Sequence, residues 1–141
     1  MTEIERFGSG IPWESTVGYS RAVRAGPFVF VAGTTAVDED GVVRAPGDAY
    51  GQTHFALDAL QAALAQAGAG LEQVIQTRLY VTDIARSDEI GRAHGERFAD
   101  IRPVSTMVQI AALIDPRMLV EIEAIAYVGW AAWDSNPEPR A

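Results

Sequence analysis

A chain of 141 residues has the size of one ordinary domain, and with 48% hydrophobic residues it can bury a continuous core. Its net charge of −8 argues against nucleic acid and anionic membrane surfaces as partners, since phosphates are held by clustered cations. All 11 basic residues are arginine and cysteine is absent, which removes Schiff-base lysines, thiol nucleophiles, disulfides and thiolate metal sites. Catalysis is left to carboxylates, imidazoles, hydroxyls, guanidinium groups, backbone amides and water. No apolar run has the length of a bilayer span, and the opening MTEIERFG has neither a basic start nor an apolar signal core, so the expected location is the cytoplasm.

Residues 1–16 are polar and glycine-bearing, with Phe7, Ile11 and Trp13 as isolated apolar anchors, and read as a loose lead-in with at most one short strand. Strands are predicted over 19–23 and 28–32, joined by the turn Ala25-Gly26-Pro27 as a hairpin. Gly33-Thr34-Thr35 ends the second strand with small residues and exposed amides that leave room for a ligand, and Asp38-Glu39-Asp40-Gly41 is a turn leading to Val42. Asp48 caps a long amphipathic helix whose apolar positions are Tyr50, Leu57, Leu60, Leu64 and Ala67, closed by Gly68 and Gly70.

Residues 71–81 begin as a turn and become a strand, with Ile75, Thr77, Leu79 and Val81 on one face and Gln76, Arg78 and Tyr80 on the other. Ser87 caps a second helix, carrying Ile90, Ala93, His94, Phe98 and Ile101 on its apolar face and ended by Pro103. Strands over 106–111 and 119–128 then read as a hairpin turning at Asp115-Pro116. Trp130 and Trp133 precede a proline-bearing, aperiodic tail, so the domain organisation is one domain over 1–130 and a flexible tail over 131–141. Each helix has a single apolar stripe, which places both helices on one face of a mixed sheet, an α+β fold.

The other sheet face would carry Arg78, Tyr80, Glu121, Glu123 and Tyr127 among apolar residues, a composition that association between copies would bury. Glu121 and Glu123 lie on the same strand face. A carboxylate among apolar residues must be paired, hydrated or used, because burying it alone costs several kcal/mol; both can pair with arginines such as Arg78. His54 and His94 fall on apolar faces of separate helices, with no HxH or HExxH spacing, and read as packing histidines rather than metal ligands. Ser105 and Thr106 offer hydroxyls at a strand start, yet no histidine stands in a sequence context that marks a triad.

The ordered segments GYSRAVRAGPFVFVAG, VIQTRLYVTDI, IGRAHGERF, RPVSTMVQIAAL and VEIEAIAYV, spread over residues 17–128, resemble the RidA/YjgF-like reactive intermediate deaminase family. The resemblance implies a chorismate-mutase-like single domain that forms homotrimers with a cleft at each subunit boundary. It also implies cofactor-independent hydrolysis of reactive enamines and imines to a keto acid and ammonia, in which a glutamate positions water, an arginine grips the substrate carboxylate, and a tyrosine and the backbone near a glycine complete the site. On the matching positions the glutamate is Glu121, the tyrosine Tyr19 and the glycine Gly33, with Thr34 beside it.

The arginine is missing. Ser105 stands at its position in Pro103-Val104-Ser105-Thr106, Met107 replaces a common cysteine, and Gly91 an asparagine seen in some members. A serine hydroxyl supplies neither the charge nor the forked geometry of a guanidinium, whose charge-assisted contacts are worth about 1.5 to 3 kcal/mol each. Amino-acid-derived imines such as that of 2-aminoacrylate are therefore expected to be poor substrates. AGTTA, TRLYVTDI and AHGERF resemble a variant branch that lacks the arginine, in which His94, Arg78 and Tyr80 are second candidates for a rebuilt pocket beside the substrate-binding candidates Ser105, Thr106 and Met107. The alternative is a non-catalytic member that binds a small metabolite or a client protein in the same cleft.

Overall fold

The structure, a computed structural model, describes residues 3–129. The predicted tail and its two tryptophans lie outside the described residues. Six strands form one sheet, β1 (Ile4–Phe7), β2 (Ala22–Ala25), β3 (Phe28–Thr34), β4 (Val74–Val81), β5 (Val104–Gln109) and β6 (Val120–Tyr127), in the order β1-β2-β3-β6-β4-β5. Two helices, α1 (Ala49–Gln66) and α2 (Ser87–Phe98), pack against each other, with α1 on β3 and β6. The mixed α+β layer arrangement and the strand-helix order agree with the sequence reading. Among the described residues no helix is long and apolar enough to cross a membrane.

The lead-in is more ordered than its composition indicates. β1 pairs with β2 as an edge strand, and a single helical turn, Glu14–Gly18, closes with Tyr19 N–H donating to Glu14 O at 3.0 Å. β2 begins later than predicted, but the hairpin through Gly26 and Pro27 is present, pairing Ala25 with Phe28.

α1 starts where Asp48 predicts, its carboxylate accepting from Gly51 N–H at 2.9 Å. It ends at Gly68, whose φ of +84° needs no Cβ, with Gly68 N–H to Ala65 O and Ala69 N–H to Leu64 O satisfying the last carbonyls. Leu57, Leu60 and Leu64 are fully buried beneath it, worth roughly 2 kcal/mol each on transfer from water. Arg24 Nη1 donates to Ala67 O at 3.2 Å, placing a cation at the negative end of the helix. α2 differs from expectation at its start: Ser87 is its first residue, no side chain caps it, and Asp83 instead caps the short turn before it by accepting from Ala85 N–H.

The predicted hairpin of the last two strands is not formed. β5 lies parallel to β4 after a crossover through α2, and β6 pairs antiparallel with the opposite edge of β4. The reason is connection length: residues 110–119 are a long link rather than a tight turn, and they carry the chain across β4 before β6 starts. A second correction concerns Ile75. β4 holds one extra residue opposite β6 between Val74 and Gln76, and this bulge puts Val74 in the core and leaves Ile75 44% exposed.

Register then sorts the side chains. Thr77, Leu79 and Val81 stand beside Ala124, Ile122 and Val120 on the helix-covered face; Arg78 and Tyr80 stand beside Glu123 and Glu121 on the open face. The open face also shows Phe28, Phe30 and Tyr127, each more than a third exposed.

Candidate active site

Glu121 owes its position to a backbone irregularity two strands wide. β3 carries two residues, Ala32 and Gly33, between the pairs Val31–Ala124 and Thr34–Ile122, where β6 carries only Glu123. The bulge brings Gly33 under the Glu121 side chain. A Cβ at Gly33 would lie 2.7 Å from Glu121 Cδ, so the carboxyl occupies the space that only glycine leaves.

Glu121 accepts no hydrogen bond among the described residues. Burial pushes its carboxyl above the usual range, the Glu123 charge pushes it the same way, and Arg21 opposes them.

Arg21 was not among the residues singled out from the sequence, although it is next but one to Tyr19. Its Nη1 donates to Gly33 O at 3.2 Å and to Thr34 Oγ1 at 3.3 Å, while Thr34 donates to Ala32 O at 2.8 Å. Its guanidinium lies 5.7 Å from the Tyr19 ring centroid, and its Nε, 4.0 Å from Glu14 Oε2, is buried without a hydrogen bond. Tyr19, Gly33, Thr34 and Glu121 thus share one wall. They line a cleft of about 1530 Å³ together with the 38–41 turn and residues of the 110–115 link. Asp38 makes that turn rigid by accepting from Asp40 N–H and Val42 N–H, both at 2.9 Å, which lowers its own pKa.

Glu123 follows the pairing expected for it. Tyr80 donates to Glu123 Oε1 at 2.5 Å and Arg78 Nη1 reaches the same oxygen at 3.5 Å. The bond to Glu123 raises the Tyr80 pKa, since losing the phenolic proton would leave two anions in contact. Arg78 lies in a separate, smaller depression on the open face with Gln76, Phe30 and Ile125, about 370 Å³ in volume.

The remaining predicted residues form a second group. Ser105 pairs in register with Thr77, and so faces the helix side, away from Glu121. Thr77 Oγ1 donates to Ser105 Oγ at 2.8 Å and stands 2.9 Å from His94 Nε2; the imidazole lies against Phe98 with ring centroids 4.6 Å apart. Burial lowers the His94 pKa. Met107 packs partly buried against the core, and Thr106 is exposed on the Arg78 side.

A single chain therefore does not bring Ser105, Thr106, Met107 and His94 into the Glu121 cleft. No sequence spacing marks a serine–threonine–histidine chain. The available signal was Thr77 itself, the one polar residue on a strand face otherwise made of Leu79 and Val81. His54, the other packing histidine, stacks edge-on to Tyr50 and lies 3.5 Å from Glu96, on the outer side of the helix pair.

Comparison with known proteins identifies the family and the fold. The family model described as Endoribonuclease L-PSP matches residues 12–128. An uncharacterised Streptomyces coelicolor protein is 44% identical over 126 residues, 89% of this chain and 93% of its own length. The 3-aminoacrylate deaminase RutC of Acinetobacter baylyi is 33% identical over 110 residues, 78% of this chain and 86% of its own. A crystal structure of a YjgF/YER057c/UK114 family member from Mycobacterium tuberculosis superposes with a TM-score of 0.80 at 51% identity, covering 89% of this chain and 99% of that one. The chain belongs to the Endoribonuclease L-PSP family, the RidA/YjgF group that its segments resemble.

Proposed function

We propose that the protein is a cofactor-independent hydrolase of a reactive imine or enamine, working as a cytoplasmic homotrimer. The observation that carries this reading is Glu121, a carboxylate with no hydrogen-bond partner among the described residues and a raised pKa, held over Gly33 in a wide cleft. A free carboxylate so placed can hold and deprotonate water. The water oxygen bonds to the imine carbon as one water proton passes to Glu121 and from it to the nitrogen that receives the C=N electrons; the hydroxyl proton of the resulting carbinolamine then passes by way of Glu121 to the amine, the C–N bond breaks, ammonia leaves and a carbonyl remains. Tyr19, Arg21 and Thr34 shape the wall on which the substrate lies.

The division of predicted residues between two faces of one sheet supports a shared site, with the β5 edge of one copy laid against the Glu121 cleft of the next. The apolar open face gives copies a surface to bury. Ser105 in place of the carboxylate-gripping arginine supports a substrate other than 2-aminoacrylate. RNA cleavage, which the family description names, finds little footing on a chain of net charge −8 without lysine.

The test follows decay of 2-iminopropionate generated in situ, with wild type, Ser105→Arg, and Ser105→Arg combined with Glu121→Ala. Little acceleration by wild type, a gain in the arginine variant and its loss without Glu121 are expected. Acceleration by wild type would overturn the substrate claim. An arginine variant that stays inert would favour a binding protein over an enzyme.

A further inference from the structure

Four polar side chains are buried among the described residues, and three have evident structural work. Gln52 bridges Arg117 O and Leu119 N–H, Thr53 donates to Ala49 O, and Thr34 donates to Ala32 O. Thr77, with no exposed surface, instead bonds two other side chains, Ser105 and His94. A hydroxyl has one hydrogen. With Thr77 donating to Ser105, the 2.9 Å contact to His94 is made by the tautomer that carries its hydrogen on Nε2, which donates to the threonine oxygen. Ser105 Oγ is then occupied as an acceptor from within, and its own hydrogen is left for an acceptor outside the chain.

Ser105 is exposed on β5, the last strand of the sheet. On α2, Gly91 and Gly95 stand one turn apart to either side of His94 in sequence, and an added Cβ at either would meet nothing within 4 Å. The Ser105 side chain is open to a group from outside the chain. The cleft on the Glu121 side is lined, among the described residues, by seven carboxylates and one guanidinium, that of Arg21, an environment that disfavours an anionic ligand.

We propose that Ser105 anchors the substrate by donating its hydrogen to an uncharged acceptor, the carbonyl oxygen of an amide or ester group on the imine, with Thr77 and His94 as positioning residues that aim it. This rests on the reading that a second copy sets the β5 edge against the Glu121 cleft. The substrate class is then an imine or enamine bearing a neutral carbonyl group in place of a free carboxylate.

Binding of pyruvamide and of pyruvate to the full chain, measured by calorimetry, tests it. Pyruvamide binds saturably and more tightly than pyruvate. Ser105→Ala weakens pyruvamide about fivefold, the size of one net neutral hydrogen bond. Thr77→Val weakens it by a similar factor, Thr77→Ser restores it, and the Ser105→Ala/Thr77→Val double variant is no weaker than Ser105→Ala alone, because both act through one chain. No saturable pyruvamide binding, a preference for pyruvate, indifference to Ser105→Ala, or additive losses in the double variant would each overturn the proposal. Imine turnover is a separate readout: Ser105-dependent pyruvamide binding without any hydrolysis removes the proposed activity and keeps the anchor, while hydrolysis with binding indifferent to Ser105 does the reverse.

Discussion

Glu121 and Glu123 sit two residues apart on the same face of β6 and line the same cleft, yet their hydrogen-bond partners differ. Glu123 is held by the Tyr80 hydroxyl and the Arg78 guanidinium on the neighbouring strand. Glu121 faces the β3 bulge, where Gly33 offers no side chain and Arg21 is engaged with backbone and Thr34. A carboxylate flanked by donors is structural, whereas one given space and no donor is available to water or ligand. Residue type and strand periodicity are identical for the two, so the difference comes from the neighbouring strands alone.

Deleting each carboxylate tests that contrast most severely. Glu121→Ala should lower turnover of an accepted imine about a thousandfold, the range of a lost general base, with the folded assembly intact by size-exclusion chromatography. Glu123→Ala should keep most of the turnover. Equal losses would erase the distinction.

Gly33→Ala attacks the same carboxylate from below. Gly33 has no positive φ, so alanine is not strained by its backbone. The conflict is with the end of the Glu121 side chain, which can swing away. A melting temperature close to wild type combined with about a hundredfold loss of turnover is expected, the cost of moving a catalytic group by about an ångström. A large drop in melting temperature would mean that the bulge, and not the carboxylate, is what the glycine serves. On the other carboxylate, Tyr80→Phe should cost about 1 kcal/mol or less in chemical denaturation, since the site is partly open to water, and little turnover.

The sequence exposed the parts of this molecule governed by local rules. Asp48 and Gly68 bracket α1 because capping and left-handed turns are decided within a few residues, and alternation in 120–127 separated the two glutamates from the core. It did not expose what depends on strand order. The supposed β5–β6 hairpin hid the fact that β4 lies between them, and with it the pairing of Ser105 with Thr77 and the hydrogen bond from Tyr80 to Glu123. Arg21 was missed and Ile75 misplaced for a related reason: their environments are set by bulges and cross-strand neighbours, which leave no periodic trace in the sequence.

The finest probe of the contrast is the acid limb of the pH–rate profile. The Glu121 carboxyl is raised chiefly by burial, then by Glu123, and is held down by Arg21. A general base works only when ionised, so activity should fall on acidification at a higher pH than an ordinary carboxylate would give. Glu123→Gln removes the second cause and should move the limb to lower pH; Arg21→Gln removes the opposing charge and should move it to higher pH. Stability carries the same signature with a definite sign. A folded carboxyl with a raised pKa binds its proton more tightly than the unfolded one, so it destabilises the fold above its folded pKa and has no effect below its unfolded pKa. Glu121→Gln should therefore raise the melting temperature at neutral pH, with the gain disappearing as pH falls below the ordinary carboxylate range.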